Sequence, residues 1–193
     1  MLVTARQRFH RYFAPMPIFS TLVQSNYRVL AESRLSDIAP IFNLIQAGSL
    51  NGHFSNLYTR PRYMAGLGIQ LFSLWKYSSI RLPDGTRHQA SMKVLRLGRD
   101  FAGFVILRHD ASRPIEVEIY MCGVEDDFRG KGSGEWMLRA AISEIPNGYW
   151  VFADCLPDSV QMKSLLKKLG FAETPSAAPP GVPLVAQRYA ICI

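Results

Sequence analysis

The segment that most constrains the fold runs from Ile115 to Ile145. It opens as a strand-like stretch ending at Val124, crosses Glu125, Asp126, Asp127, Phe128, Arg129, Gly130, Lys131, Gly132, Ser133 and Gly134, and continues as a helix. In that helix Trp136, Met137, Ala140, Ala141 and Ile145 recur at helical spacing, and Pro146, Asn147 and Gly148 stop it. A strand that feeds a helix through closely spaced glycines turns tightly there, and its amide N–H groups converge at the helix N-terminus. Arg129 and Lys131 add full charges to the positive end of the helix dipole. The segment therefore reads as a phosphate cradle. Two common nucleotide loops fit badly. A P-loop needs Gly-Lys followed by Ser or Thr, whereas Gly132 follows Lys131, and the dinucleotide fingerprint needs G-x-G-x-x-G, whereas the glycines stand at 130, 132 and 134.

The rest of the chain supplies elements of both kinds. Tyr27 to Glu32 reads as a short strand, and Ser36 as the cap of a helix with Ile38, Ile41, Phe42 and Ile45 on one face, ended by Gly48. Residues 49–61 read as a loop, long enough to be functional, running into a second helix around Tyr63 to Tyr77. After a turn at Pro83, Asp84 and Gly85, Ala90 to Leu97 and Ala102 to Arg108 read as a hairpin joined at Gly98, Arg99 and Asp100. Ser112, Arg113 and Pro114 turn into the strand Ile115 to Val124. Tyr149 to Cys155 is apolar enough for a buried parallel strand. Ser159 to Leu169 reads as a helix with Gly170 as its C-cap, and Phe171 to Thr174 and Leu184 to Ile193 as closing strands around a Pro-rich loop, Pro175 to Pro183. The order predicts one mixed α/β (α+β) domain over residues 25–193, preceded by a basic extension, residues 1–24.

At 193 residues with 48% hydrophobic and 19% charged, the chain can bury a core of its own, and its length favours one domain. Polar or small residues interrupt every apolar run before the roughly 18 residues a membrane span needs, so no membrane partner is expected. Cys122, Cys155 and Cys192 are odd in number and widely spaced, which suits buried thiols in a reducing, cytoplasmic setting and no metal site. The net charge of +7 is uneven: residues 1–100 hold 13 Lys and Arg against 4 Asp and Glu, residues 101–193 hold 9 against 11. Such asymmetry suits an anionic ligand or nucleic acid, yet the cations are scattered rather than clustered with stacking aromatics, which makes nucleic acid the lesser reading. In the extension, Arg6, Arg8, His10 and Arg11 mix with Phe9, Tyr12 and Phe13, and Pro15 and Pro17 cut short any interfacial helix there.

Arg129, Gly132 and Gly134 resemble the acyl-CoA-binding signature R/Q-x-x-G-x-G/A of the GCN5-related N-acetyltransferases, the GNAT superfamily. Val124 at the strand end and the run from Ser159 to Phe171, closing on Leu169, Gly170 and Phe171, are similar to that family too, so the likeness spans residues 115–174. The resemblance implies a single GNAT-like domain: a mixed, mostly antiparallel sheet with splayed parallel central strands, flanked by helices. It implies acetyl-CoA as cosubstrate, with the pantetheine arm against backbone groups near Cys122 and Val124 and the pyrophosphate on Arg129, Gly130, Lys131, Gly132, Ser133 and Gly134. Ser159 joins that cofactor-binding set. A homodimer is common in the family, and Trp150, the Pro-rich loop and the C-terminal strand hint at an edge.

Acetyl transfer to an amine needs a base for the nucleophile and a donor for the departing thiolate. Glu116 and Glu118 alternate with Val117 and Ile119, so they share one strand face, where the resemblance implies a general base. Either could serve, directly or through water; the bland alternative is a solvated strand face. The acid that the family carries one turn before Leu-Gly-Phe is a tyrosine, and here that position is Leu166. Cys155, Ser159 and Tyr149 are substitutes with ordinary structural uses. The loop with His53, Phe54, Tyr58, Arg60 and Arg62 would rim the acceptor, and its cations disfavour a polyamine or Lys-rich tail. The expected activity is an acetyl-CoA-dependent N-acetyltransferase acting on a primary amine of a small molecule, or on a protein N-terminus or lysine. A non-catalytic acyl-CoA-binding or nucleic-acid-binding module on the same fold is the alternative.

Overall fold

A computed structural model describes residues 27–82, 85–111, 113–174 and 186–193. The extension 1–24, the loop 175–183, and Pro83, Asp84 and Ser112 of the expected turns lie outside the described residues. In chain order the elements are β1 (Arg28–Glu32), α1 (Ile38–Leu50), α2 (Pro61–Tyr77), β2 (Ser79–Arg81), β3 (Arg87–Leu97), β4 (Asp100–Asp110), β5 (Arg113–Val124), α3 (Ser133–Ile142), β6 (Trp150–Cys155), α4 (Val160–Lys168), β7 (Ala172–Thr174) and β8 (Gln187–Cys192). The strands form one open sheet in the order β1-β3-β4-β5-β6-β8-β7, with β2 also paired to β3. Every pairing is antiparallel except β5 with β6, where the α3 crossover makes a parallel neighbour.

Alternation along the strands sends side chains to two cores. On β4, Phe104 and Ile106 join Ile41, Ile45, Leu67 and Leu71 under α1 and α2. Val105 and Leu107 join Met137, Leu138, Ala141 and Leu166 under α3 and α4. The sheet is thus a wall between two apolar layers, in a three-layer α/β arrangement.

Alternation breaks at several bulges, and one of them shapes the site. Ile106 pairs with Met121 but Leu107 pairs with Ile119, so Tyr120 is an extra residue on β5, a β-bulge. Before it, Val117 and Ile119 face α3 and α4; after it, Met121 faces α1 and α2 while Cys122 and Val124 turn to the α3 and α4 side. A strict period of two would have put Cys122 and Val124 on the face of Glu116 and Glu118. Close by, Gly103 on β4 lies so near β5 that a Cβ there would sit 2.4 Å from the Gly123 carbonyl oxygen.

Three local expectations need correction. Ser36 is not the cap of α1: it lies in a 3-10 turn, Leu35–Asp37. Asp37 is the buried anchor there, accepting the Arg34 N–H at 2.7 Å and Arg96 Nη2 at 2.6 Å. Gly48 does not end α1, because it is where Phe54 packs on the helix, with room for no side chain, and the helix runs on to Leu50. Strand β2 was not expected, since Ile80 is the only apolar residue in its three and the pairing to β3 makes it.

Candidate active site

β5 and β6 pair through only three residues, ending at Glu118 opposite Phe152. Beyond them the strands part, leaving the β5 edge from Ile119 to Val124 and the β6 edge from Ala153 to Cys155 without each other. Between the edges opens a cleft of about 480 Å³, a volume suited to a small ligand. Cys122 and Val124 line it from β5, Cys155 from β6, Met162 and Leu165 from α4, and His53 and Phe54 from the loop before α2. Its far end is closed by Arg129, Gly130, Gly132, Ser133 and Gly134.

That loop is built for an anion. Gly132 is the N-cap of α3 at φ +73°, a left-handed conformation that glycine adopts without strain. The first-turn amides of α3 begin there, donors that a helix leaves unsatisfied. The Ser133 hydroxyl is buried, and among the described residues it is the one buried side-chain polar atom with no hydrogen-bond partner. Burial without a partner costs about 1–3 kcal/mol, which a bound acceptor oxygen would relieve. Arg129 is not a free charge: its Nε donates to the Val124 carbonyl at 2.8 Å and its Nη1 lies 2.6 Å from Asp126, so it braces the loop. Lys131 is exposed and does not line the cleft; its carbonyl accepts Arg28 Nη2 at 2.6 Å. An unpartnered buried hydroxyl, a helix N-terminus and open strand edges are groups that an anionic, amide-bearing ligand such as coenzyme A would need.

Ser159 is buried at the start of α4 and donates to the His53 carbonyl at 3.4 Å, tying the loop before α2 to the cleft wall. Burial pushes the Cys122 thiol up to about 12 and that of Cys155 to about 11, so both are neutral at physiological pH. The Cys122 Sγ lies 3.7 Å from Met162 Sδ.

The face toward α1 and α2 carries the carboxylates. Glu118 is 8% exposed and paired with Arg108, whose guanidinium lies 5.8 Å from the Tyr120 ring centroid. Burial pushes its carboxyl above the usual range; Arg108 pulls against that shift without cancelling it, and Asp154 adds to it. Glu116 is more open and meets Arg113 at 3.2 Å. Neither glutamate lines the cleft itself; Glu118 stands where it begins. Tyr120 does line it, beside Tyr58 and Gln70. Asp154, which sequence reasoning passed over, lines the cleft from β6 and is held by a bidentate Arg188 at 2.8 and 2.7 Å, with Arg188 also over Phe152 at 4.7 Å. Its signal was present in the sequence as the one acid in the apolar run Tyr149 to Cys155. Leu166 is fully buried in the core and turned from the cleft, which α4 lines with Gln161, Met162, Ser164, Leu165 and Lys168. Tyr149 packs against that core and does not line the cleft.

The profile of the acetyltransferase (GNAT) family matches residues 51–171, from the loop before α2 to the strand entry after α4. The chain belongs to this family. Solved structures agree on the GNAT fold at low identity. The ribosomal-protein α-N-acetyltransferase RimL, in complex with coenzyme A, superposes with TM-score 0.62 at 13% identity over 88% of this chain and 96% of its own. An N-acetyltransferase from Staphylococcus aureus gives 0.63 at 15% over 86% and 98%. YncA from Salmonella typhimurium, solved with acetyl-CoA, gives 0.60 at 15% over 86% and 93%. A search of curated proteins finds no match to the chain. The GNAT fold observed here has the expected mixed sheet, parallel at its centre and splayed there, with helices on both faces. No helix among the described residues is long and apolar enough to cross a membrane.

Proposed function

We propose that this GNAT protein transfers the acetyl group of acetyl-CoA directly to a primary amine, with Glu118 as the general base. The observation that carries the reading is the parting of β5 from β6 beyond Glu118, which opens a cleft with a carboxylate at one end and an anion cradle at the other. Bound acetyl-CoA supplies an electrophilic thioester carbonyl. Residues 25–193 act as the catalytic domain, and the three free thiols suit a cytoplasmic setting.

The chain's own residues divide the work. Gly132, Ser133 and Gly134 hold the pyrophosphate, and the backbone near Cys122 and Val124 holds the arm. A raised pKa keeps Glu118 basic enough to take a proton from an ammonium as it becomes a nucleophile. Arg108 positions that carboxylate. Asp154 faces the same amine from β6. Each acid is neutralised by its own arginine, so the mouth is not an acidic trap. This favours a neutral or anionic amine-bearing molecule, or a protein N-terminus, over a polyamine. With Leu166 in place of a tyrosine, the thiolate leaves into water or takes its proton from another group. The same residue supports the second reading, an acyl-CoA-binding protein without turnover.

The test is an acetyl-transfer assay over a panel of amines with Glu118→Gln and Glu116→Gln. The expected result is a loss of roughly 10²–10⁴-fold in kcat for Glu118→Gln alone, with the acid limb of the wild-type pH profile above the ordinary carboxylate range. Equal losses in both variants, or turnover of spermidine ahead of every other amine, would refute it.

A further inference from the structure

Helix α2 has two apolar faces. The inner one, Leu67, Leu71 and Leu74, is buried. The outer one runs Arg62, Ala65, Ile69, Phe72, Lys76, at alternating steps of three and four residues, and all five are exposed. Ile69 is 72% and Phe72 41% exposed, and six of the twelve exposed large apolar side chains among the described residues fall between Leu50 and Tyr77. A surface helix ordinarily carries polar residues on its outer side, and a three-four repeat is the seam by which one helix meets another.

Charge narrows what could meet it. Between Asp37 and Asp84 the chain has no acidic residue, whereas Arg60, Arg62, Lys76 and Arg81 lie there. Arg62 and Lys76 bracket the apolar centre, and the Lys76 ammonium lies 5.8 Å from the Phe72 ring and 5.3 Å from the Tyr77 ring. A second copy is a poor occupant. Antiparallel pairing sets Arg62 against the partner's Lys76, parallel pairing sets like against like, and no carboxylate on the helix relieves either. A bilayer is also a poor one, because two large residues on a narrow seam make a small wedge for a membrane surface.

We propose that the outer stripe of α2 docks an acidic amphipathic helix of another protein, with its apolar seam over Ile69 and Phe72 and its carboxylates against Arg62 and Lys76. The site is separate from the cleft and independent of acetyl transfer.

The probe is a synthetic helix with Leu at its a and d positions and Glu elsewhere, titrated into the full chain by fluorescence anisotropy. Ile69→Ser with Phe72→Ser is one variant, and Arg62→Glu with Lys76→Glu the other; unchanged acetyl-CoA binding shows that both are folded. Binding by the wild type, weakened roughly tenfold or more in each variant and by added salt, and absent for the same peptide with Lys for Glu, is the expected result. The proposal is overturned by no binding, or by binding equal in all three proteins. It is overturned too by Ile69-dependent association with phosphatidylcholine–phosphatidylserine vesicles, or by Ile69-dependent self-association in sedimentation, in place of peptide binding.

Discussion

Replacing Arg108 by Met removes the cation from a carboxylate that has almost no access to water. Glu118 is 8% exposed, and Arg108 is the largest influence holding its pKa down against burial. Breaking a buried pair by removing one partner costs about 3–5 kcal/mol if the remaining charge persists. Glu118 escapes part of that cost by taking up a proton, so the loss depends on pH. In the variant its folded pKa rises further above the unfolded value, so the folded state is favoured below the unfolded pKa and loses stability as pH rises through the folded one. The expected deficit is about 3 kcal/mol at pH 8, a fall in Tm of roughly 6–12 °C for a chain of this size, and smaller at pH 5, nearer the ordinary carboxylate range. Thermal melts of wild type, Arg108→Met and Arg108→Met with Glu118→Gln at both pH values measure it. Glu118→Gln should restore much of the loss at pH 8, since it removes the stranded charge. A Tm deficit that is the same at pH 5 and pH 8 would refute the reasoning, because it would mean that Glu118 is neither buried nor dependent on Arg108.

Two further substitutions separate the cleft from the core. Ser133→Ala should leave the unliganded protein as stable or slightly more so, yet weaken coenzyme A by roughly tenfold or more in calorimetric titration, because the buried hydroxyl has no partner among the described residues. Leu166→Ala should cost about 3 kcal/mol, read as a denaturant midpoint shift, with little change in coenzyme A affinity, because the side chain is fully buried in the core and does not line the cleft.

The Gly-rich end of the cleft was legible because its physics is local: glycines, a helix start and a preceding strand are neighbours in the chain. The end near Glu118 was not. Glu118 and Glu116 look equivalent by alternation, and they differ because Glu118 is buried and meets Arg108 across the β4 to β5 ladder, ten residues away, while Glu116 stays more open beside Arg113. The bulge at Tyr120 has no signature in the alternation it interrupts, so the turn of Cys122 and Val124 to the opposite face from Glu118 depended on register. Asp154 looked like a polar blemish on a buried strand until β8 brought Arg188 beside it. Leu166, which stands in the sequence where the family resemblance implies a tyrosine, is a fully buried core residue of α4.

The central claim is that acetyl-CoA lies in the gap between β5 and β6 with its pyrophosphate at Gly132. The most direct measurement is a thermal-shift titration of wild type and Gly132→Glu with acetyl-CoA, with ATP as control. A ligand at about 100 times its Kd adds roughly 2.7 kcal/mol, which for this size is a rise of roughly 5–10 °C. Wild type should show that rise with acetyl-CoA and not with ATP, and Gly132→Glu, which puts bulk and negative charge at the α3 N-terminus, should show none. An equal rise in both proteins, or none in wild type, would contradict the claim.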